Sequence, residues 1–278
     1  MSFMRGLRAI GAFMCLALLL AAPLRADEAA DRAALNAALG VGDLLGVMRE
    51  EGQIYGRQIG TEFLPDGGGA DWQGVVGRIY DLEKMRASVG QGMAKALPAS
   101  AVKPLLTFFS SERGHRIVAA ELAARRAFLD PAAEEAAREH VRNLPDAQEA
   151  RLDLVRAYVE ANDLVEYNVT GGLNSNLRFY KGLVDGGAYD MSEEEILADV
   201  WGQAEETRAD TEEWLYAYLM MAYAPLEDGD IEAYVALSKT DAGRALNRAL
   251  FAGFDGMYGD LSYAMGLAVA QQAKGEDL

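Results

Sequence analysis

Cysteine is almost absent from this chain of 278 residues, which contains one, Cys15. That cysteine lies inside an apolar N-terminal run, from Ile10 to Ala22, with the character of an export signal. If the signal is removed, the mature chain has no thiol. It can then form neither a disulfide nor a thiolate metal site. We therefore expect its stability to come from packing alone.

Long apolar runs are also lacking. The N-terminal run has about a dozen residues, whereas a membrane-spanning helix needs about 20. Arg5 and Arg8 precede the run, and Pro23 and the small residue Ala26 follow it, as in a cleavable secretory signal. We predict a signal peptide at residues 1–26, export to the periplasm, and no integral membrane segment in the mature chain. An uncleaved N-terminal anchor is the alternative.

Positive charge is scarce relative to negative charge. The chain has 26 basic and 43 acidic residues and a formal net charge of −17. Without the leader the basic residues fall to 23, so the mature chain carries −20. This acidity argues against nucleic acid and against anionic membrane surfaces, because both attract basic faces. Cationic partners remain compatible with it, although surplus carboxylates also serve solubility alone.

Histidine is also rare, and neither His115 nor His140 belongs to an HExxH motif. Glu112 and His115 have the Glu-x-x-His spacing, but the second such pair that helical metal sites use is missing. There is no GxSxG elbow, phosphate-binding loop or dinucleotide fingerprint. Adjacent acidic residues are common, but they lie at helix starts and on polar faces, where they compensate helix dipoles. The sequence therefore predicts no catalytic, metal-binding or cofactor-binding residue.

What the chain does have is helical periodicity, with hardly any period-two alternation. We predict an all-α fold, an antiparallel domain of about nine or ten helices with short connections. Gly52, Gly56 and Gly60 share one face of a helix and should let a neighbour approach closely. The main helices are expected at 29–39, 43–63, 71–97, 112–129, from 131, 146–161, from 193 through 222, 231–237, and from 241 onward.

The last helix has the most regular apolar stripe. Its members recur every three or four residues, as expected for a face that packs into a core. We predict this helix to be central to the fold. The stripe consists of Leu246, Leu250, Phe254, Met257, Leu261, Met265 and Ala268.

The pattern changes between Asp163 and Gly187, where glycine and short polar side chains are frequent. The segment is either a loop between two helices or a helix bent at Gly171-Gly172. A helix connection with Asn and Gly in left-handed positions is the favoured interpretation, and the alternative is that these polar side chains line a cleft that binds an anion or a sugar. The candidate cleft residues are Asn168, Asn174, Asn176 and Arg178.

Two segments share one pattern: a short apolar helix, a hydroxyl residue, an acid in the next position and a glycine three residues after the hydroxyl. The first contains Ser111-Glu112-Arg113-Gly114 and the second Thr240-Asp241-Ala242-Gly243. Ser111 and Thr240 are typical helix N-caps. The repetition indicates two related helical units, with possible sub-units at 27–162 and 163–278, or else generic capping.

The stretch Phe108 to Ile117 and the run Tyr234 to Ala268 resemble a bacterial exported family, the domain of unknown function 2059. The resemblance covers most of the mature chain loosely and concerns structural positions. It implies an all-helical exported domain and supplies no reaction and no catalytic residue.

Together these features favour a non-enzymatic envelope protein. It would bind an unidentified partner protein or a small ligand in a groove between its helical units. A soluble carrier of lipids or other hydrophobic ligands is the first alternative, because methionine and aromatic side chains could line an apolar cavity. A hydrolase that uses acidic residues is the second.

Overall fold

The computed structural model describes residues 27–275, and helices make up most of that range, with no strand among those residues. The predicted all-α fold is confirmed. Helix α1 covers 27–38. The helices that follow are α2 (Val41–Phe63), α3 (Gly69–Ile79), α4 (Leu82–Ala96), α5 (Ala99–Phe109), α6 (Glu112–Ala127), α7 (Pro131–Arg142), α8 (Glu149–Ala161), α9 (Leu164–Asp185), α10 (Glu193–Gly202), α11 (Ala204–Tyr223), α12 (Asp228–Ser238) and α13 (Asp241–Ala273).

Helices are more numerous than the nine ranges expected above, because α5 and α9 are added and two expected helices are each divided. The helix expected at 71–97 breaks at Tyr80 and Asp81, between α3 and α4. Asp81 starts α4 by accepting a hydrogen bond from the backbone N–H of Lys84 at 3.0 Å. The helix expected after Ser192 breaks at Gln203, directly after Gly202. In both cases the apolar spacing continues across a short turn, so the sequence pattern does not reveal the break.

Between Asp163 and Gly187, where a loop was one of the two expected alternatives, the structure has a single helix. The loop alternative is wrong, because α9 runs unbroken through Gly171 and Gly172 to Asp185. Glycine is a poor helix former, but packing against a neighbouring helix outweighs that preference here. Gly182 of α9 and Gly266 of α13 each lie against the backbone of the other helix, where a side chain has no room.

The final helix, α13, is 33 residues long and occupies the centre of the fold. It packs most extensively against α9 and α4, and it also contacts α2, α3, α5 and α12. At the α4 crossing a Cβ on Gly92 would lie 2.6 Å from Gly253 Cα, so the two backbones nearly touch. Most of the predicted stripe is buried, while Leu250 and Phe254 are half-buried at its edge. The stripe is a core face, as predicted.

The glycine face of α2 receives α3, as expected. Three side chains of the α3 segment, spaced four residues apart, occupy the positions left free by three glycines. The matching pairs are Gly52 with Tyr80, Gly56 with Val76, and Gly60 with Trp72. Within residues 27–275 no helix has both the length and the apolarity needed to cross a membrane.

The two segments that share a sequence pattern also share a local structure. Helices α5 and α12 both have 11 residues, and each is followed by a two-residue turn and a capped helix. Ser111 Oγ accepts from Gly114 N at 3.1 Å, and Thr240 Oγ1 accepts from Gly243 N at 3.0 Å. Both predicted N-caps are thus confirmed.

The suggested boundary between residues 162 and 163 falls in the turn between α8 and α9. The largest hydrophobic core nevertheless combines side chains from 35–118 with others from 183–269. A second core joins α8, α11 and α12 around Tyr223. The division into two related sub-units stays a prediction.

Candidate functional site

A groove of about 510 Å³ lies between α3, α4 and α13. Its apolar walls include Val75, Ile79, Met85, Met257, Leu261 and Leu267. Most of these side chains are buried or half-buried, and the groove is open to solvent along one side. Its volume falls within the roughly 300–1,000 Å³ that is usual for ligand pockets.

The turn at Tyr80–Asp81 creates this groove. Because the chain breaks there, α3 and α4 meet α13 at separate places, and a gap remains between them. Ile79 on one side of the turn and Met85 on the other both face this gap. A continuous helix through residues 71–97 would present one unbroken ridge to α13. The unexpected break therefore positions the site.

Polar side chains border the groove rather than line its floor. Arg78 lies in the last turn of α3, and Lys84 lies in the first turn of α4, and both are exposed. Ser88 and Gln271 are half-buried at the margin. Asp260 also borders the groove, and its carboxylate lies 3.9 Å from the guanidinium of Arg178.

A second unusual arrangement is a carboxyl group inside a cluster of tyrosines. The hydroxyl of fully buried Tyr223 donates to Glu121 Oε1 at 2.8 Å, and the hydroxyl of Tyr218 donates to the Glu121 backbone oxygen at 3.0 Å. Burial raises the pKa of Glu121 to about 7, and the Tyr223 hydrogen bond partly opposes that rise. Tyr158 packs against Tyr223 and Tyr234, with ring centroids 5.8 and 4.6 Å apart.

An ion pair lies one helical turn further along α6. Arg125 binds Glu51 of α2 through two hydrogen bonds of 2.6 and 2.7 Å, and its guanidinium lies 5.1 Å from the ring centroid of Trp214. Arg125 thereby connects α2, α6 and α11. None of these residues or those of the tyrosine cluster lines the groove. Glu121 is therefore separate from the groove and is held by the hydroxyl groups of Tyr218 and Tyr223.

The four candidate cleft residues lie on the middle of α9. Asn168, Asn174 and Asn176 are exposed, and Asn168 Nδ2 donates to the Leu164 backbone oxygen at 2.7 Å. Arg178 is directed at α13 and lies 4.9 Å from the ring centroid of Tyr263. None of the four lines the groove, although Arg178 is near its margin through Asp260. A ligand cleft on α9 stays a prediction of the sequence.

The histidines lie apart on the surface. His115 is exposed in the first turn of α6, and His140 Nε2 lies 2.9 Å from Gln148 Oε1. Within residues 27–275 no group of three histidine, cysteine or acidic side chains is arranged to hold a metal ion. Ser111 and Thr240 use their hydroxyl groups to cap helices and to donate to the carbonyl oxygens of Phe108 and Leu237.

Sequence reasoning missed Glu121, yet a signal for it exists. Glu121 lies four residues after buried Ile117 and three before buried Ala124, so an acid interrupts an apolar helix face. Arg78 and Lys84 carry no such signal, because their importance depends on the break between α3 and α4.

The arrangement of an apolar groove between three helices defines an all-α protein with a ligand-sized site. No protein-family model, curated protein or solved structure matches this chain.

Proposed function

We propose that this chain is an exported, non-enzymatic binding protein that holds a small apolar ligand in the groove between α3, α4 and α13. The observation that carries the proposal is the groove itself, about 510 Å³ in volume with walls of aliphatic and methionine side chains. Methionine adapts its shape to varied apolar ligands. Export is supported by the signal-like residues 1–26, which lie outside the described residues.

A small ligand suits the groove better than a partner protein does. A stable protein interface usually involves about 20–30 residues a side, far more than border this groove. Exposed large apolar side chains elsewhere in the described range are few: Tyr55, Tyr189 and Trp201. The hydrolase alternative has less support, because Glu121 is one enclosed carboxyl group with no groove beside it.

Binding of a neutral apolar fluorophore, N-phenyl-1-naphthylamine, tests the proposal on the protein purified from cells that express the full chain. We expect saturable binding with a blue-shifted emission and one probe per chain. The substitution Ala264→Phe places a large side chain in the groove wall and should abolish binding while the protein stays folded.

Ala252→Phe is the matched control, because Ala252 is exposed on the same helix and does not line the groove. That variant should bind the probe as the parent does. Absence of saturable binding to the parent, or undiminished binding to folded Ala264→Phe, would overturn the proposed function.

A further inference from the structure

The groove has cationic side chains on one border. Arg78 and Lys84 flank the turn between α3 and α4, six residues apart, and both line the groove. Neither forms an ion pair with any residue whose side chain the structure describes, although the chain as a whole is strongly acidic. The charges at this border are therefore available to a ligand.

We infer that the groove, if it binds ligands as proposed above, takes an anionic single-chain amphiphile whose head group lies at Arg78 and Lys84. The apolar tail would then extend along Ile79, Ala264 and Leu267, which are half-buried in the groove wall. The inference depends on the juxtaposition of an apolar floor with two available cations at its edge. Both features are needed to recognise such a molecule.

The floor accounts for the tail. An unbranched chain fits a groove that is open along one side, because it lies along the helices without needing an enclosed cavity. Each buried methylene contributes about 0.8 kcal/mol, so affinity rises with chain length. Ile79, Ala264 and Leu267 are half-buried and supply the apolar surface that a tail can cover, whereas Met85 and Met257, 1% exposed, lie beneath that surface.

The border accounts for the sign of the head group. A guanidinium presents a planar set of donors that matches carboxylate and phosphate oxygens, and an ammonium adds a point charge. Asp260 is the one acid among the described residues that line the groove. Its carboxylate is directed at Arg178 on the α9 side, so Arg178 partly offsets its charge. The net effect favours an anion over a cation.

Isothermal titration with four amphiphiles that share a dodecyl or lauroyl chain tests this inference. Laurate and dodecyl phosphate are anionic, monolauroylglycerol is neutral, and dodecyltrimethylammonium is cationic. All are used below their micelle concentrations with the purified protein. Because exposed ion pairs contribute modestly, we expect the anions to bind about three- to ten-fold more tightly than the neutral compound. The cation should bind more weakly still, and the two anions show whether the head is a carboxylate or a phosphate.

The double substitution Arg78→Gln with Lys84→Gln should bring laurate binding down to that of monolauroylglycerol and leave the neutral compound unaffected. Arg57→Gln with Lys103→Gln is the matched control, since both residues are exposed and neither borders the groove. Equal binding of anion and cation, or an undiminished anion preference in the Arg78/Lys84 variant, would overturn the inference. Probe binding in the same sample separates that result from failure of the proposed function, which predicts binding of N-phenyl-1-naphthylamine regardless of head-group preference.

Discussion

The indole of Trp72 donates a hydrogen bond to the backbone oxygen of Gly56, with 2.7 Å between Trp72 Nε1 and that oxygen. Trp72 is fully buried, so its N–H has no access to water and needs this partner. The bond is possible because α3 lies directly on the glycine face of α2. A Cβ on Gly56 would lie 2.5 Å from a methyl group of Val76.

Gly56→Ala should therefore destabilise the protein by about 1–3 kcal/mol, the usual cost of overpacking a core. Gly46→Ala on the same helix is the control, because a Cβ there meets no atom within 4 Å. That substitution should be neutral or stabilise by up to about 1 kcal/mol, because alanine is the better helix former. Denaturant titration measures both. A Gly56→Ala protein as stable as the parent would show that α3 does not pack as described.

The ion cluster between α6 and α12 should depend on acid pH. Asp230 is 2% exposed and accepts hydrogen bonds from Arg116 at 2.9 to 3.2 Å and from Arg113 at 2.9 Å. These hydrogen bonds lower the pKa of Asp230, and the bond from Arg116 has the largest effect. Its contribution to stability is therefore present above the pKa of an unfolded aspartate and is lost as pH falls through the lower folded value.

Asp230→Asn should reduce the free energy of unfolding at pH 7 by about 1–3 kcal/mol. The loss stays below that of a fully buried pair, because both arginines remain about half exposed. Urea titration at pH 7 and at pH 3 measures the loss, which should shrink at the lower pH. Asp241→Asn is the control, since Asp241 also pairs with an arginine but its side chain is fully exposed. An equal effect of the two substitutions would contradict the argument.

Glu121 predicts the opposite pH dependence. Its folded pKa, about 7, lies above the ordinary value of 4.5, so the folded state retains a proton that the unfolded state loses. Its stabilising contribution is complete below pH 4.5, falls as pH rises, and is gone above about 7. At about 1.36 kcal/mol per pKa unit, the change is at most about 3 kcal/mol.

Glu121→Gln should remove this part of the pH dependence while retaining an acceptor for Tyr223. Unfolding free energies at pH 4.5, 6 and 8 test it: the variant should equal the parent at the lowest pH and exceed it at the highest. Glu112→Gln, on an exposed residue of the same helix, should retain the slope of the parent. An unchanged slope in Glu121→Gln would show that another group is responsible.

The two hydroxyl caps should be structural and equivalent. Ser111→Ala and Thr240→Ala should each lower stability by about 0.5–2 kcal/mol, because each leaves a backbone N–H at a helix start without its acceptor. Thermal melting measures both, and the binding of N-phenyl-1-naphthylamine should not change. Loss of ligand binding with an unchanged melting temperature would instead assign a functional role to the hydroxyl.

Export is tested by N-terminal sequencing of the protein recovered from the cell envelope. We expect the mature chain to begin at Asp27, because the small residue Ala26 ends the signal-like segment. Replacing Ala26 by a bulky residue such as tyrosine should slow cleavage and leave the longer form. Retention of the parent protein in the cytoplasm would contradict the prediction.

The sequence predicts those parts of the fold that local chemistry determines. The caps at Ser111 and Thr240 and the stripe of α13 are confirmed, since hydroxyl capping and apolar periodicity are visible in a few turns of sequence. The break at Tyr80–Asp81 and the continuity of α9 were not predictable in this way. Both depend on which helix packs alongside, and that information lies far away in the chain.

The groove, too, is predictable from the sequence only where local chemistry determines it. Its floor comes from the α13 stripe, which the sequence shows, but its opening comes from the α3–α4 break, which the sequence hides. Residues such as Arg78 become neighbours of α13 only after the long-range packing is known. Glu121 was more accessible, because an acid on an otherwise apolar helix face is a local anomaly.

The central position of α13 has a consequence for how the chain is made. The helix that α4, α5 and α9 pack against lies C-terminal to all three, so it leaves the ribosome after them. Until α13 is available, the faces of α4, α5 and α9 that pack against it have no partner, and the main core cannot close. The main core therefore stays open while residues 27–240 are synthesised. The proposed export would need such a delay, because a polypeptide passes through a narrow membrane channel before it folds.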